Sequence, residues 1–327
     1  MFTASLSGAE DGGAPDVSPQ HRRRDFGGRD PETSGVGLFV DTASGGRGEP
    51  DDPIDALETR LPTWIPSARG LFTFLWRMVA MRARWLRTGV PRQVPAAPVA
   101  EEGQDRFLPF AFGEAETSAI LAHCKSAGFS VNSALHAAQM ASIAEEFAES
   151  PGTLGVLCLV DLRRRVTRPV EPEAMGLYFG FVATTHVVRR EDALPALAAR
   201  VQAALLHEIS VSNHLLMVSW MARLAGLVPR RDAAARAMAA NNLRLAGGLS
   251  VISNIGMVSA GEGSQDLEAL HFLVPLCGGA LLGSSAACFG GRLHWNFTYR
   301  EPVVSRTLAE RVAERARRRL LAELGME

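Results

Sequence analysis

The stretch FSVNSALHAA, residues 129–138, carries the clearest sequence signal for the fold class. It follows Gly128, a residue that commonly ends a helix, and it opens with small polar residues before an alanine-rich run that extends to residue 147. Small polar residues such as Asn132 can cap the first backbone amides of a helix. The pattern predicts two consecutive helices, over residues 114–126 and 132–147.

Strand-like and helix-like segments alternate on both sides of this stretch. The strand-like segments are apolar, β-branched or aromatic, and the helical ones show apolar residues at steps of three and four. This alternation predicts an α/β chain (an α+β mixed sheet), in which helices flank one open sheet. The predicted strands are residues 106–112, 154–161, 177–188, 249–253, 267–274, 281–289 and 293–299, and the further helices are residues 193–208, 214–227, 232–241 and 305–324.

The amino-terminal third has a different composition. Residues 1–53 are dense in Gly, Asp, Pro, Ser and Arg, which predicts a segment without stable structure. Residues 54–105 hold an amphipathic helix at 67–88, rich in arginine, followed by a proline-rich linker at 90–99. Residues 106–327 form the remaining domain. We expect the helix at 67–88 to pack on the core, with membrane-surface contact as the alternative, because it is too charged to span a bilayer.

Composition excludes several classes of protein. The 327 residues carry a formal net charge of -1, and neither a basic stripe nor a nucleic-acid motif is present, so nucleic acid is not an expected partner. The four cysteines lack metal-type or redox-type spacing, which is typical of a reducing compartment. No secretory signal begins the sequence, and we expect a cytoplasmic protein.

Five short segments resemble motifs of one superfamily, in the same order. After residues 129–138 come VDLRRR at 160–165, MGLYFG at 175–180, SVISNIG at 250–256 and GRLHWNFTY at 291–299. Together they are similar to the chloramphenicol acetyltransferase and condensation-domain superfamily. The similarity is greatest to polyketide-associated acyltransferases such as phthiocerol/phthiodiolone dimycocerosyl transferase and to alcohol acetyltransferases. Wax ester synthases are more distant, because residues 253–256 lack the proline expected there.

This resemblance implies a two-lobed fold with a tunnel between the lobes. Since it covers residues 106–324, we expect one chloramphenicol acetyltransferase-like two-layer lobe, with the amino-terminal lobe truncated. The implied reaction is transfer of an acyl group, other than an aminoacyl group, from a CoA or carrier-protein thioester to a hydroxyl or amine. The acceptor would be a small molecule or a lipid, an acyl carrier protein is a further candidate partner, and no cofactor beyond the thioester is implied.

Relatives place their catalytic histidine in an H-H-x-x-x-D-G motif, where it removes the acceptor proton while the aspartate orients. The one similar pattern here is His21 to Asp25, which keeps one histidine and the aspartate. These two residues are the predicted catalytic pair. Three arginines lie between them and the preceding residues are polar, which also suits a solvated loop that has no catalytic role.

Three further residues are predicted to line the tunnel, namely Asn132, Ser253 and Asn254. Asn132 has helix capping as its ordinary role, and Ser253 and Asn254 are equally typical of a turn after a strand. Ser253 and Asn254 could instead donate hydrogen bonds to a developing oxyanion. The remaining histidines have no metal-type spacing, and His271 and His294 have no acidic partner nearby in sequence, so we assign all of them ordinary structural roles.

A second function class stays open. The chain could be a catalytically inactive binding or scaffold remnant of a condensation-like domain. Because the predicted base lies in a segment without stable structure, we expect the isolated chain to transfer acyl groups slowly or not at all.

Overall fold

The computed structural model describes residues 2–5, 57–89, 103–146, 152–171, 178–227, 249–258, 267, 269–274, 276 and 282–325. The chain divides into two units, one made of Met1–Ser5 with Asp55–Glu327 and the other of Leu6–Ile54. The second unit lies outside the described residues. The fold below is therefore that of the first unit.

The described elements agree with most of the predicted ones. The helices are α1 (Ala68–Thr88), α2 (Glu114–Ala127), α3 (Val131–Glu146), α4 (Leu194–Ser210), α5 (Asn213–Leu227) and α6 (Arg306–Ala322), preceded by a 3-10 helix at Leu57–Arg60. The strands are β1 (Phe2–Ser5), β2 (Gln104–Leu108), β3 (Gly152–Asp161), β4 (Phe179–Val188), β5 (Leu249–Met257), β6 (Ala269–Phe272), β7 (Leu282–Phe289) and β8 (Arg292–Glu301). The predicted helix at 232–241 lies outside the described residues. None of the helices in the described ranges is long and apolar enough to cross a membrane.

Six strands form one mixed sheet in the order β2-β8-β7-β5-β3-β4. The three central strands β3, β5 and β7 run parallel, whereas β4, β8 and β2 are each antiparallel to their neighbours. Parallel neighbours need crossover connections, and helices provide them in such sheets. The prediction of a mixed sheet flanked by helices is confirmed.

The two faces of this sheet differ in what covers them. Successive side chains of a strand point to opposite faces, so Val156, Ile252 and Trp295 share one face, which we call the covered face. These side chains are buried in the main core together with residues of α2, α3, α4 and α6. The opposite face, which carries Ser253 and Leu157, is called the open face below. The lobe is thus two-layered, as expected.

Helix α3 contacts the covered face through buried polar side chains as well as apolar ones. His136 Nδ1 lies 3.1 Å from the hydroxyl of Ser250 on β5. The Ser284 hydroxyl donates to Gln139 at 2.6 Å and accepts a 2.9 Å bond from the Trp295 indole. All five residues are essentially excluded from water. Buried polar groups need partners, so these bonds fix how α3 sits on the sheet.

Helix α1 packs on a second, smaller core. Phe74 is buried there with Ile65 and Leu216, and the Trp220 indole of α5 donates to the Ile65 carbonyl at 2.9 Å. Gly70 allows the first turn of α1 to lie close to the backbone of Ile65, because a Cβ at position 70 would lie 1.9 Å from the Ile65 carbonyl oxygen. The expected packing of this helix on a core is confirmed for the side of α1 that carries Phe74.

Strand β1 is a difference from the sequence prediction. Residues 2–5 were expected to lack stable structure, yet Phe2–Ser5 pairs antiparallel with β6, with Phe2 opposite Phe272 and Ser5 opposite Ala269. Backbone hydrogen bonding to an exposed strand edge needs little side-chain specificity, so composition is a poor guide to it. The other residues of 1–53 lie outside the described ranges.

An ion-pair cluster joins α3 to α6, and it supports a first prediction. Glu146 binds Arg315 at 2.8 Å and Arg311 at 2.8 Å, and the hydrogen bond from Arg311 holds the pKa of Glu146 below its usual value. We expect Glu146→Gln to lower the free energy of unfolding by about 1 kcal/mol in urea titrations, since solvent screens these pairs. The loss should shrink in high salt.

The matched control is Glu310→Gln, which removes the exposed pair with Arg306 within α6 itself. This change should have little effect, because an exposed pair one helical turn apart contributes little. Equal losses of unfolding free energy in the two variants would show that the α3–α6 cluster stabilises the protein no more than an exposed pair within one helix does.

Candidate functional site

The part of the open face that β3 and β4 form is partly exposed. Along β4, Val182, Thr184 and His186 are buried on the covered face, while Phe181 and Ala183 on the open face are half-buried. Leu157 and Leu159 of β3 are half-buried beside them. An apolar sheet face with this much exposed surface is a candidate for contact with a ligand or another protein segment.

A row of polar side chains continues the same face across the neighbouring strands. Ser253 of β5 is opposite Ser285 of β7, which in turn is opposite Asn296 of β8. Because residues in register point to the same side, all three lie on the open face. All three are buried. We call Ser253, Ser285 and Asn296 the polar row.

Strand β6 lies over one end of the polar row. The Ser285 hydroxyl donates to the Phe272 carbonyl, and the Asn296 amide donates to the same oxygen at 3.3 Å. His271 Nδ1 is 2.9 Å from Asn296 Oδ1, and the His271 ring meets the His294 ring edge-to-face with centroids 5.3 Å apart. Two imidazoles thus lie next to the polar row.

His294 is suited to remain neutral. It is 1% exposed, and burial, followed by repulsion from His271 and Arg292, lowers the pKa of its imidazole below the usual 6.5. A neutral imidazole can accept a proton, which is the task of a general base. The geometry therefore places one proton acceptor, His294, on the same face as the hydroxyl and amide groups of the polar row.

Ser253 carries the unused hydroxyl of this group. Its side chain makes no hydrogen bond with any residue in the described part of the chain, whereas Ser285 and Asn296 are both bonded to β6. A hydroxyl held on a strand and left without a protein partner can donate to a bound carbonyl oxygen. Ser253 is the residue of the polar row that is most available to a ligand.

Asn254 has a different environment from the one expected. It lies within β5, which continues to Met257, so residues 253–256 are not a turn after a strand. The pairing shifts after Asn254, its Oδ1 accepts from the Gly256 amide at 2.9 Å, and Gly256 has φ 75°. A bulge with a glycine at positive φ lets the strand go on. Asn254 shapes this bulge.

Asn132 also differs from its expected role. The capping side chain at the start of α3 belongs to Ser130, whose hydroxyl accepts from the Ser133 amide at 3.2 Å. Asn132 donates instead to the Cys158 thiol of β3 at 3.2 Å. Burial raises the pKa of that thiol, so it is held in its unreactive form.

The three predicted tunnel residues therefore do not share one side of the sheet. Cys158 is opposite Ile252 in the register of β3 and β5, so Asn132 lies at the covered face, and alternation places Asn254 there too. Ser253 points to the open face. The prediction that all three line one cavity edge is wrong for Ser253, because neighbouring residues of a strand point to opposite faces.

His21 and Asp25 lie outside the described residues, and their catalytic assignment stays a prediction. The sequence predicts only ordinary structural roles for His271 and His294 and does not single out Asn296, yet β6 and the register of β8 bring these three residues together. Alternation along GRLHWNFTY at 291–299 places His294 and Asn296 on one face and was the one available signal. Within the described ranges, no three His, Cys, Asp or Glu side chains are grouped as a metal site.

Comparison with solved structures shows the fold. Polyketide synthase associated protein 5 from Mycobacterium tuberculosis matches at TM-score 0.52 and 12% identity, over 76% of this chain and 61% of that one. A trichothecene 15-O-acetyltransferase from Fusarium sporotrichioides matches at 0.53 and 12%, over 78% and 53%. The epimerization domain from the third module of tyrocidine synthetase B matches at 0.52 and 17%, over 76% and 55%. The chain thus spans little more than half the length of these structures.

Direct comparison with curated protein sequences gives no match. The profile of one family, phthiocerol/phthiodiolone dimycocerosyl transferase C-terminus, matches residues 103–274, which is more than half of the 327 residues. This segment includes α2 to α5 and strands β2 to β6, and thus the Ser253 side of the polar row. The chain therefore belongs to the phthiocerol/phthiodiolone dimycocerosyl transferase C-terminus family.

Proposed function

We propose that this chain takes part in transferring an acyl group from a thioester, carried by CoA or by an acyl carrier protein, to a hydroxyl or amine of a small molecule or lipid. The observation that carries the proposal is the family match over residues 103–274. The fold shared with a polyketide synthase associated protein and with an acetyltransferase supports it. The transfer needs no cofactor beyond the thioester.

Ser253 is assigned to the acyl donor. Attack on a thioester carbonyl places negative charge on its oxygen, and a fixed hydroxyl donor lowers the energy of that state. The side chain is held on a sheet strand and leaves its hydroxyl without a described partner. The half-buried apolar side chains of Leu157, Leu159 and Phe181 continue the same face and suit a hydrocarbon chain.

The proton acceptor has two candidates. His21, oriented by Asp25, is the one that the family motif implies. His294 is the other candidate. It lies two residues from Asn296 on the same face of β8, and the pKa of its imidazole is lowered. Either imidazole can take the proton of the acceptor as the new carbon–oxygen or carbon–nitrogen bond forms, and can return it to the thiolate that leaves when the carbon–sulfur bond breaks. A positioned base contributes about 10² to 10⁴ in rate.

The test is an assay with radiolabelled acyl-CoA and acyl carrier protein against a panel of alcohols and amines, with thioester binding measured separately. We expect the chain to bind the thioester and to transfer slowly. Ser253→Ala should reduce any transfer by about 10². Ser210→Ala, at the exposed end of α4, is the matched control and should leave the rate unchanged.

Further variants separate the alternatives. Turnover that disappears in His21→Ala identifies His21 as the base, and turnover that survives this change but disappears in His294→Gln identifies His294. Thioester binding without turnover would favour the second function, a binding or scaffold domain. The burial of His294 and Asn296 beneath β6 is consistent with that alternative. Absence of both binding and turnover would overturn the proposal.

A further inference from the structure

Helix α1 has apolar side chains on two opposite sides. One side, with Gly70, Phe74 and Trp85, is buried in the protein. The other is exposed and carries large apolar side chains at steps of three, four and seven residues, which is one stripe along a helix. We call this the α1 stripe; its members are Phe72, Leu75, Trp76, Val79 and Leu86, each between 48% and 88% exposed.

The charges beside the α1 stripe all have one sign. The sequence of α1 contains five arginines and no aspartate or glutamate. Arg77 is paired with Glu208 of α4. Arg69, Arg82, Arg84 and Arg87 are exposed, and none of these four forms an ion pair with a carboxylate in the described part of the chain. An apolar stripe beside cations that no described carboxylate neutralises is complementary to a surface that is both apolar and anionic.

We propose that the α1 stripe and its four exposed arginines bind an anionic lipid surface, with the helix axis parallel to the membrane plane. Packing of the opposite side of α1 on the protein fixes this orientation, so that the stripe faces outward along its length. Trp76 and Phe72 would enter the boundary between headgroups and acyl chains, where aromatic rings are favoured. The arginines would bind lipid phosphates.

A second copy of the chain fits this surface less well. Two α1 stripes packed against each other would bring eight exposed arginines together with no acidic residue of either α1 to offset them. Anionic lipid, in contrast, supplies negative charge along the whole helix. The surface is separate from the polar row and the open face, so the inference holds whether or not the chain transfers acyl groups.

The test is flotation of the purified full chain with vesicles of phosphatidylcholine alone or of phosphatidylcholine with phosphatidylglycerol. We expect binding to the mixed vesicles only, weakened by salt, and a blue shift of tryptophan emission that Trp76→Phe reduces. The double variant Phe72→Glu, Trp76→Glu should bind about tenfold less or weaker still. Exchanging Arg69, Arg82 and Arg87 for glutamine should cost about 10² in binding.

Matched control variants carry the same kinds of substitution on helices other than α1. Leu121→Glu alters an exposed leucine of α2, and exchange of Arg306 and Arg318 of α6 for glutamine removes two exposed cations; both should bind like the unaltered chain. Equal binding to neutral and anionic vesicles, or binding that survives the Phe72 and Trp76 changes, would overturn the proposal. Failure to bind either vesicle would do so too, and light scattering that shows a dimer broken by the double variant would assign the stripe to a second copy.

Discussion

Replacing Trp295 by alanine is expected to lower the free energy of unfolding by about 3 to 5 kcal/mol, measured by urea titration. The side chain is completely buried on the covered face. Its ring lies 4.8 Å from that of Phe297 and stacks on Phe112 at 6.5 Å, and its indole donates to Ser284. Alanine would leave a cavity and an unmade hydrogen bond at the point where α3, β7 and β8 meet.

Two further variants separate the cavity from other effects. Trp295→Phe keeps an aromatic ring and loses the hydrogen bond, so a smaller loss of about 1 to 2 kcal/mol is expected. Trp76→Ala is the matched control, because Trp76 is 63% exposed and its removal should change stability little. Similar losses in Trp295→Ala and Trp76→Ala would show that the core around β8 is not tightly packed.

Trp295 also connects stability with the candidate site. Its neighbours along β8, His294 and Asn296, point to the open face and lie in or beside the polar row. A strand packed firmly on one face holds the side chains of its other face in fixed positions. Loss of the tryptophan should therefore loosen the arrangement of His294 and Asn296 as well as lower stability.

The elements could be predicted from sequence because each carries a local signal. The alanine-rich sequence of α3, the arginine-rich sequence of α6 and the apolar, β-branched and aromatic residues of β4 can be recognised without knowledge of distant residues. Pairing between strands that are distant in sequence carries no such local signal. That Ser253 is opposite Ser285, and Ser285 opposite Asn296, depends on the register of three strands, and residues 258–281 separate β5 from β7 in the sequence. Sequence reasoning could name Ser253 but not its companions.

The incorrect details have specific physical causes. Asn254 followed two residues later by Gly256 is typical of a turn, so the sequence predicts one there. The same pair also builds a bulge that lets β5 continue. The sequence predicts the capping role for Asn132 because this residue opens the alanine-rich run. Ser130, two residues earlier, caps α3 instead, and this shift of the helix start frees Asn132 to reach Cys158.

The protein should lose stability as the pH falls from neutrality, because several histidines are buried in the neutral form. Burial lowers the pKa of His136 to about 3, with a further contribution from His186. Burial likewise lowers the pKa of His186 to about 4, followed by repulsion from Arg200, and that of His214 to about 4, followed by repulsion from Arg165. All three remain neutral in the folded protein at a pH where an unfolded chain already binds protons.

The sign follows from proton uptake. Below the ordinary histidine pKa of 6.5, the unfolded chain holds more protons than the folded one, so the free energy of unfolding decreases with falling pH. The decrease continues until the folded pKa values of about 4 and about 3 are reached. Glu145 and Glu146, whose pKa values are lowered from 4.5, add to the loss below that value, so the window between 4.5 and 6.5 reports on histidines.

Urea titrations across this window should show a slope of about 1.4 kcal/mol per pH unit for each buried histidine that stays neutral. His136→Asn keeps a polar group near the Ser250 hydroxyl and removes the titrating ring, so its slope should be shallower by one such step. His207→Gln, at the exposed end of α4, is the matched control and should keep the slope of the unaltered chain. If His136→Asn also kept that slope, His136 would have to take up its proton at the same pH in the folded and unfolded states. Such a result would mean that water reaches the contact between α3 and β5, and the buried polar contacts of α3 could not then fix its position on the sheet.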